Sequence, residues 1–115
     1  MTEREEADME ADATAETFGA LVREGYVLVD VWGPNCAPCL ALMPSIEALA
    51  ERHRDRLRLV KVNAPENRGI CRELRVFGLP TYVLFRDGEE VSRLSGDPSL
   101  EEIEAAVETM LGGEK

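Results

Sequence analysis

Residues 27–39 constrain this chain more than any other stretch, because they join an apolar run to two closely spaced cysteines. Residues 26–32 are almost continuously apolar and rich in β-branched side chains, which predicts a central strand covered on both faces. Residues 33–35, Gly-Pro-Asn, end this strand, and a helix is predicted to begin around Cys36. Cys36 and Cys39 are therefore expected on the first turn of a helix that follows a central strand.

The hydrophobic pattern of the rest of the chain predicts a βαβ unit, a hairpin and a last helix. The crossover helix implies parallel strands, whereas the Asp-Gly turn at residues 87–88 implies an antiparallel hairpin, so the sheet is predicted to be mixed. The predicted elements are a helix from Asp12 or Thr14 to Gly25, the strand at 26–32, a helix from about 36 to 54, a strand at 57–62, a short helix at 66–74, strands at 81–86 and 90–94, and a helix that Ser99 and Glu102 cap and Gly112 ends.

The length of 115 residues is that of one domain, which we expect over residues 12–115. Residues 1–11 are acidic and lack apolar periodicity, so we expect them to be disordered. The net charge of −10 argues against binding to nucleic acid or anionic membranes, and no apolar run approaches the roughly 20 residues of a membrane span. Residues 2–16 do not resemble a secretory signal and three cysteines are an odd number, which favours a reducing cytoplasm.

Two cysteines three positions apart on a helical turn lie about 5.5 Å apart at their Cα atoms, which is close enough for a disulfide. Cys36 is expected at the positive end of the helix dipole, where its thiolate is favoured relative to the usual pKa of about 8.5. Cys39 lies one turn deeper. The pattern therefore predicts that Cys36 attacks a disulfide and that Cys39 resolves the product, while Pro38 stiffens the turn.

Asp30 is a carboxylate inside the apolar run, where an unpaired charge would cost several kcal/mol, so we expect its pKa to be raised. Such a group can accept the proton of Cys39 and return it. The alternative is an aspartate at a strand end that reaches solvent. Lys61, in the next strand, is the expected partner of Asp30, although a lone strand lysine also commonly extends its ammonium into solvent.

A Cys-x-x-Cys pair alone is as typical of half a zinc site as of a redox pair. The only other cysteine and histidine, Cys71 and His53, lie at no recognisable zinc-ligand spacing, and a proline between the cysteines disfavours an iron–sulfur cluster shared by two chains. We therefore expect no metal and no bound cofactor. Cys71 is interpreted as a half-buried core residue, with a regulatory thiol as the alternative.

Taken together, these residues resemble the thioredoxin family. The spacing agrees without a gap with the common bacterial form from Asp30 to Gly96. The family pattern is matched at Asp30, Trp32, Cys36, Pro38, Cys39, Pro44, Lys61, Pro80, Thr81, Gly88 and Gly96. The resemblance implies a thioredoxin fold in the α/β class, with a central mixed sheet of four or five strands flanked by four helices. It also implies a cis Leu79-Pro80 bond beside the cysteine pair.

The functional expectation that follows from the resemblance is a cytoplasmic, monomeric protein-disulfide reductase that contributes to electron transport and cell redox homeostasis. Its partners would be a thioredoxin reductase and disulfide-containing client proteins, with no nucleic acid or membrane partner. The expected catalytic residues are Cys36, Cys39, Asp30 and Lys61. The expected substrate-binding residues are Trp32, Gly33, Asn35, Ala37, Pro38, Leu79, Pro80 and Gly96.

The chain departs from the family pattern around the cysteines. Asn35 replaces a second tryptophan, Ala37 replaces a glycine, and Leu40 replaces a frequent lysine. These changes leave two alternatives open, a dedicated electron donor for one reductase complex and a binding module in which the thiols do not matter. The family's edge strand would fall at residues 6–11, where this acidic chain is expected to have a short strand or none.

Overall fold

The structure, a computed structural model, describes residues 10–112 and contains one five-stranded sheet. The strands are β1 (Glu10–Asp12), β2 (Tyr26–Trp32), β3 (Leu57–Asn63), β4 (Thr81–Arg86) and β5 (Glu89–Ser95). Their order across the sheet is β1-β3-β2-β4-β5. Parallel pairing joins β1 to β3 and β3 to β2, and antiparallel pairing joins β2 to β4 and β4 to β5. The predicted mixed sheet is confirmed.

Four α-helices cover the sheet, as predicted. They are α1 (Phe18–Val22), α2 (Ala37–Arg52), α3 (Arg68–Leu74) and α4 (Leu100–Gly112), and a 3-10 turn at Ala64–Glu66 precedes α3. At the start of α4, the Ser99 hydroxyl accepts the Glu102 N–H at 3.1 Å and the Glu102 carboxylate accepts the Ser99 N–H at 2.9 Å. This reciprocal cap is the one that the sequence predicted.

The first helix is shorter than predicted. It begins at Phe18 rather than near Asp12 or Thr14. The Thr17 hydroxyl accepts the Thr14 N–H at 2.9 Å, and the Thr14 carbonyl accepts the Phe18 N–H. Threonine hydroxyls compete with the backbone for these hydrogen bonds, so residues 14–17 form a turn in place of the expected first helical turn.

The N-terminal edge of the sheet holds a short strand, which is one of the two outcomes that the sequence left open. Glu10–Asp12 forms β1 and pairs with residues 59–61 of β3, so residues 10 and 11 are part of the sheet and not of a disordered segment. The rest of the segment predicted to be disordered lies outside the described residues. No helix within residues 10–112 is long and apolar enough to cross a membrane.

The sheet separates two hydrophobic clusters, one on each face. Val27, Val29 and Val31 of β2 point into a cluster with Phe18 of α1 and Ile70 of α3. The opposite cluster joins Leu28 of β2 to Ile46 and Leu49 of α2 and to Ile103 and Val107 of α4. Because side chains alternate along a strand, Asp30 shares the face of Leu28, beneath α2 and α4.

Candidate active site: a cysteine pair at a helix start

The two cysteines are joined by a disulfide at the start of α2. Their Cα atoms are 5.3 Å apart. Cys36 has extended backbone angles and caps the helix, and its sulfur accepts the Cys39 N–H at 3.2 Å. Pro38 occupies the first turn, where its missing N–H needs no partner. The turn therefore fixes both sulfurs at the helix start before any reaction takes place.

The two sulfur-bearing residues differ in accessibility. Cys36 is half-buried, whereas Cys39 is fully buried beneath the first turn of α2. Asn35, Ala37 and Pro38 around them are exposed. An incoming disulfide can therefore approach Cys36 much more readily than Cys39.

The loop before β4 packs against the turn before the cysteines. The Leu79-Pro80 peptide bond is cis, as the resemblance implied. Leu79 Cδ1 lies 3.1 Å from the point where a Cβ on Gly33 would stand, so a side chain at this position would require the tip of Leu79 to move by a few tenths of an ångström. The Gly33 carbonyl in turn accepts the Cys36 N–H at 3.2 Å.

Strand register brings three of the other predicted substrate-binding residues to the same end of strands β2, β4 and β5. Val31 of β2 is opposite Thr81 of β4, and Thr81 is opposite Ser95 of β5. Trp32, Pro80 and Gly96 each lie one residue beyond those pairs, next to the cysteine turn. Trp32 is half-buried, Pro80 is buried, and Gly96 is exposed with a left-handed φ of 75°.

Asp30 is the buried acid of the site. It is fully buried, and neither carboxylate oxygen has a hydrogen-bond partner among residues 10–112. Burial raises the pKa of Asp30 from 3.8 to about 7, with the charge of Lys61 opposing the rise and that of Glu47 adding to it. Near neutral pH this group is therefore poised to take up or release a proton.

The sequence predicted that Lys61 pairs with Asp30, but the structure shows no hydrogen bond or ion pair between these two side chains. The two residues are opposite each other in the β2–β3 register, but the Lys61 ammonium bonds to Glu10 of β1 at 2.7 Å and to Glu47 of α2. Burial alone would lower the pKa of Lys61, but its hydrogen bonds and ion pairs with the two glutamates outweigh this effect and raise it. Lys61 acts on Asp30 only through space, because closer carboxylates from the edge strand and from α2 take its ammonium.

Sequence reasoning did not identify the two glutamates. Glu47 follows Cys39 by eight residues, a spacing that returns to the same face of a helix, so a signal for it was present. Glu10 had no such signal, because its place beside Lys61 depends on the pairing of β1 with β3.

Comparison with known proteins identifies the family to which this chain belongs. A family model described as Thioredoxin matches residues 10–109. The chain belongs to the thioredoxin family. Proteins of this family are thiol-disulfide oxidoreductases, and with its bonded cysteine pair this chain is one of them.

Individual relatives agree with this assignment. Thioredoxin from Bacillus subtilis (strain 168) is 37% identical over 84 residues, covering 73% of this chain and 81% of that protein. The bifunctional thioredoxin reductase/thioredoxin of Mycobacterium leprae (strain TN) is 34% identical over 98 residues, 84% of this chain and 21% of that protein. A solved mutant thioredoxin from Halobacterium salinarum NRC-1 has a TM-score of 0.79 at 29% identity, over 89% of this chain and 90% of that one.

Further polar groups surround the buried acid of this thioredoxin-family site. Tyr82 is opposite Asp30 in the β2–β4 register, and its hydroxyl is buried without a hydrogen-bond partner in the described chain. Burial, and next the charge of Asp30, raise the pKa of Tyr82. A cavity of about 440 Å³ reaches the same row of residues and is lined by Trp32, Lys61 and Asn63 among others. Lys61, which is opposite Asp30 in the β2–β3 register, is the residue that links this cavity to the buried acid.

The other histidine and cysteine of the described chain, His53 and Cys71, lie at the end of α2 and on α3. Within residues 10–112, no group of three or more histidine, cysteine, aspartate or glutamate side chains could hold a metal ion. His53 forms the C-terminal cap of α2. Cys71 is a free, half-buried thiol on α3, and burial raises its pKa.

Proposed function

We propose that this protein reduces disulfides in client proteins through a dithiol–disulfide cycle of Cys36 and Cys39. The observation that carries the proposal is the unequal exposure of the pair, with Cys36 reachable at the helix start and Cys39 buried on α2, the helix that covers the face holding Asp30. This asymmetry assigns attack to one sulfur and resolution to the other.

In the first step, the Cys36 thiolate attacks one sulfur of the client disulfide. A bond forms between Cys36 and that sulfur, the client S–S bond breaks, and the second client sulfur leaves as a thiolate that takes a proton from solvent. The N-terminus of α2 favours the attacking thiolate, because its free N–H groups and helix dipole stabilise negative charge.

In the second step, Asp30 accepts the proton of Cys39, whose thiolate attacks the sulfur of Cys36. The mixed disulfide breaks, the first client sulfur leaves as a thiolate that takes the proton held by Asp30, and the Cys36–Cys39 disulfide forms. Two electrons have then passed from the protein to the client, with one proton supplied by Cys39 through Asp30 and one by solvent. Lys61 is a positioning residue in this proposal, because its charge tunes Asp30 from a distance.

Client binding is assigned to the surface around the cysteine turn. An extended client segment would pair with the backbone of Leu79 and contact Trp32, Gly33 and Gly96. Asn35, Ala37, Pro38 and Pro80 complete this surface. The small polar side chain of Asn35 would favour clients different from those selected by a large apolar residue at that position.

Electrons for the next cycle would come from a thioredoxin reductase, and the protein would act as a cytoplasmic monomer without a bound cofactor. The Mycobacterium leprae relative supports the reductase, since its description combines thioredoxin reductase and thioredoxin in one chain. The net charge of −10 supports the absence of nucleic acid and anionic membranes among its partners.

Insulin reduction with dithiothreitol as the electron source tests this function. We expect turnover by the wild-type protein and by Cys71→Ser, and none above background by Cys36→Ser. A wild-type protein that fails on insulin but reduces one specific complex would support the dedicated-donor alternative. Capture of a partner that is equally strong with Cys36→Ser/Cys39→Ser would support the binding module.

A further inference from the structure

A second surface adjoins the active site on the side of α3. Its centre is a cavity of about 440 Å³ whose lining includes Pro65, Arg68, Arg72, Phe77 and Leu79. We call these five residues the α3 surface. The mechanism described above uses only one of them, Leu79, and only through its backbone.

The α3 surface is continuous with the cysteine turn. Pro65 and Leu79 both lie within 4 Å of the point where a Cβ on Gly33 would stand, at 3.7 Å and 3.1 Å. Gly33 is hydrogen-bonded to Cys36 through its carbonyl. A segment that leaves Cys36 across Gly33 and Leu79 therefore runs directly onto this surface.

Phe77 gives the surface an apolar anchor. The residue is 91% exposed, although it lies in the loop that positions the cis peptide bond. Exposed aromatic side chains gain stability when a partner covers them, and they are enriched at the centre of binding sites. Leu79 adds a second exposed apolar side chain two residues away.

Arg68 and Arg72 give the surface a positive charge. They are one turn apart on α3, both are exposed, and neither guanidinium makes an ion pair or a hydrogen bond with any other residue in the range 10–112. No acidic residue lines the cavity. In a chain with a net charge of −10, these two exposed arginines form a local site complementary to carboxylates.

We infer that the α3 surface binds acidic client segments, so that the protein prefers disulfides flanked by carboxylates and an apolar side chain. The inference rests on the proposed function and names the substrate class of the same site. An extended client segment spans about 7 to 14 Å over two to four residues. The test therefore places the carboxylates at two to four residues from the reactive client cysteine.

The test uses peptides that contain one intrachain disulfide and an apolar residue beside it. Two positions, two to four residues from the cysteine, hold two Glu, two Gln or two Lys, on either the N-terminal or the C-terminal side. The pre-reduced full-length protein is mixed with each peptide at 0.15 M salt, and the second-order rate constant of peptide reduction is measured. We expect about a tenfold preference for the Glu peptide over the Lys peptide on one of the two sides, and a loss of that preference at 1 M salt.

Matched variants locate the preference. Arg68→Gln/Arg72→Gln should abolish the preference, and Phe77→Ser should lower the second-order rate constant for the apolar-flanked peptides relative to peptides with alanine at that position. Arg52→Gln/Arg54→Gln removes the same amount of charge at the opposite end of α2, about 20 Å from the cysteines. This control variant should keep the preference for Glu peptides.

The net charge of the chain makes the outcome decisive. Long-range repulsion of acidic peptides would produce the opposite preference, for Lys peptides, and that result would overturn the inference. Equal rates on all peptides would also overturn it while leaving the proposed function intact, whereas reduction of no peptide would contradict the proposed function itself. If Arg68→Gln/Arg72→Gln changed only the reduction of this protein by thioredoxin reductase, or only its dimerisation, the α3 surface would bind a different partner. That result would also overturn the inference.

Discussion

At the scale of single residues, Asp30 is the group proposed to accept the proton of Cys39. Its carboxylate lies in the core of the molecule with no hydrogen-bond partner among the described residues, and burial raises its pKa to about 7. A buried acid of this kind is unfavourable for the fold whenever it is ionised. It is retained at a position where the proposed reaction needs a proton acceptor.

Asp30→Asn separates the two chemical steps. An amide cannot accept the proton of Cys39, so we expect release of the mixed disulfide near neutral pH to slow by about 10- to 100-fold. The initial attack by Cys36 should change little. Rapid-quench measurement of both steps tests this, and equal slowing of attack and release would contradict the role assigned to Asp30.

The raised pKa also predicts how stability depends on pH. The folded protein holds the Asp30 proton more tightly than the unfolded chain does. This stabilisation is complete below pH 3.8 and is lost as the pH rises to about 7. Denaturant unfolding of the oxidised protein should show that the free energy of unfolding of wild type, relative to Asp30→Asn, falls by up to about 4 kcal/mol across this range. A constant difference between the two proteins would contradict the raised pKa.

Lys61 and Glu47 should shift the pKa of Asp30 in opposite directions. Glu47→Gln removes a nearby negative charge and should lower the pKa of Asp30, whereas Lys61→Met removes the opposing positive charge and should raise it. The midpoint in the pH profile of mixed-disulfide release reports these shifts. Glu51→Gln, which changes an exposed residue later in α2, is the matched control and should leave the midpoint in place. Shifts of the same sign in both variants would contradict this arrangement.

At the scale of helices and strands, the sequence predicts elements well where their signals are local. The Ser99–Glu102 cap, the β2 strand and the helix start at Cys36 each depend on neighbouring residues, and each was predicted. The start of α1 was wrong because Thr14 and Thr17 form a side-chain turn. Whether the edge strand β1 forms was left open, because its partner, β3, is about 50 residues away in the chain.

The predicted cap at the start of α4 has a measurable contribution. Ser99→Ala removes the acceptor of the Glu102 N–H and should lower stability by about 1 kcal/mol, or Tm by about 4–8 °C. Ser45→Ala, inside α2, is the matched control and should not destabilise to this extent, since alanine is a good helix former. Calorimetry of the oxidised proteins tests this, and an unchanged Tm for Ser99→Ala would show that the cap does not stabilise α4.

At the scale of the whole molecule, the sheet order assembles the site from distant parts of the chain. The cysteine pair and Asp30 were predictable because one strand and one turn contain them. The contacts of Lys61 with Glu10 and Glu47 were not, because they depend on β1 and α2 flanking β3. The same holds for the α3 surface, since Arg68 and Phe77 adjoin the cysteine turn only in the folded chain.

The central claim is that Cys36 attacks the client and Cys39 releases it. Intact-protein and peptide mass spectrometry of reduced Cys39→Ser, mixed with excess oxidised client, tests this claim most directly. We predict that a mixed disulfide accumulates through Cys36, and that it disappears in Cys36→Ser/Cys39→Ser. The account would be contradicted if the mixed disulfide formed through Cys71 instead. It would also be contradicted if the single variant Cys36→Ser accumulated a mixed disulfide through Cys39 at the same rate.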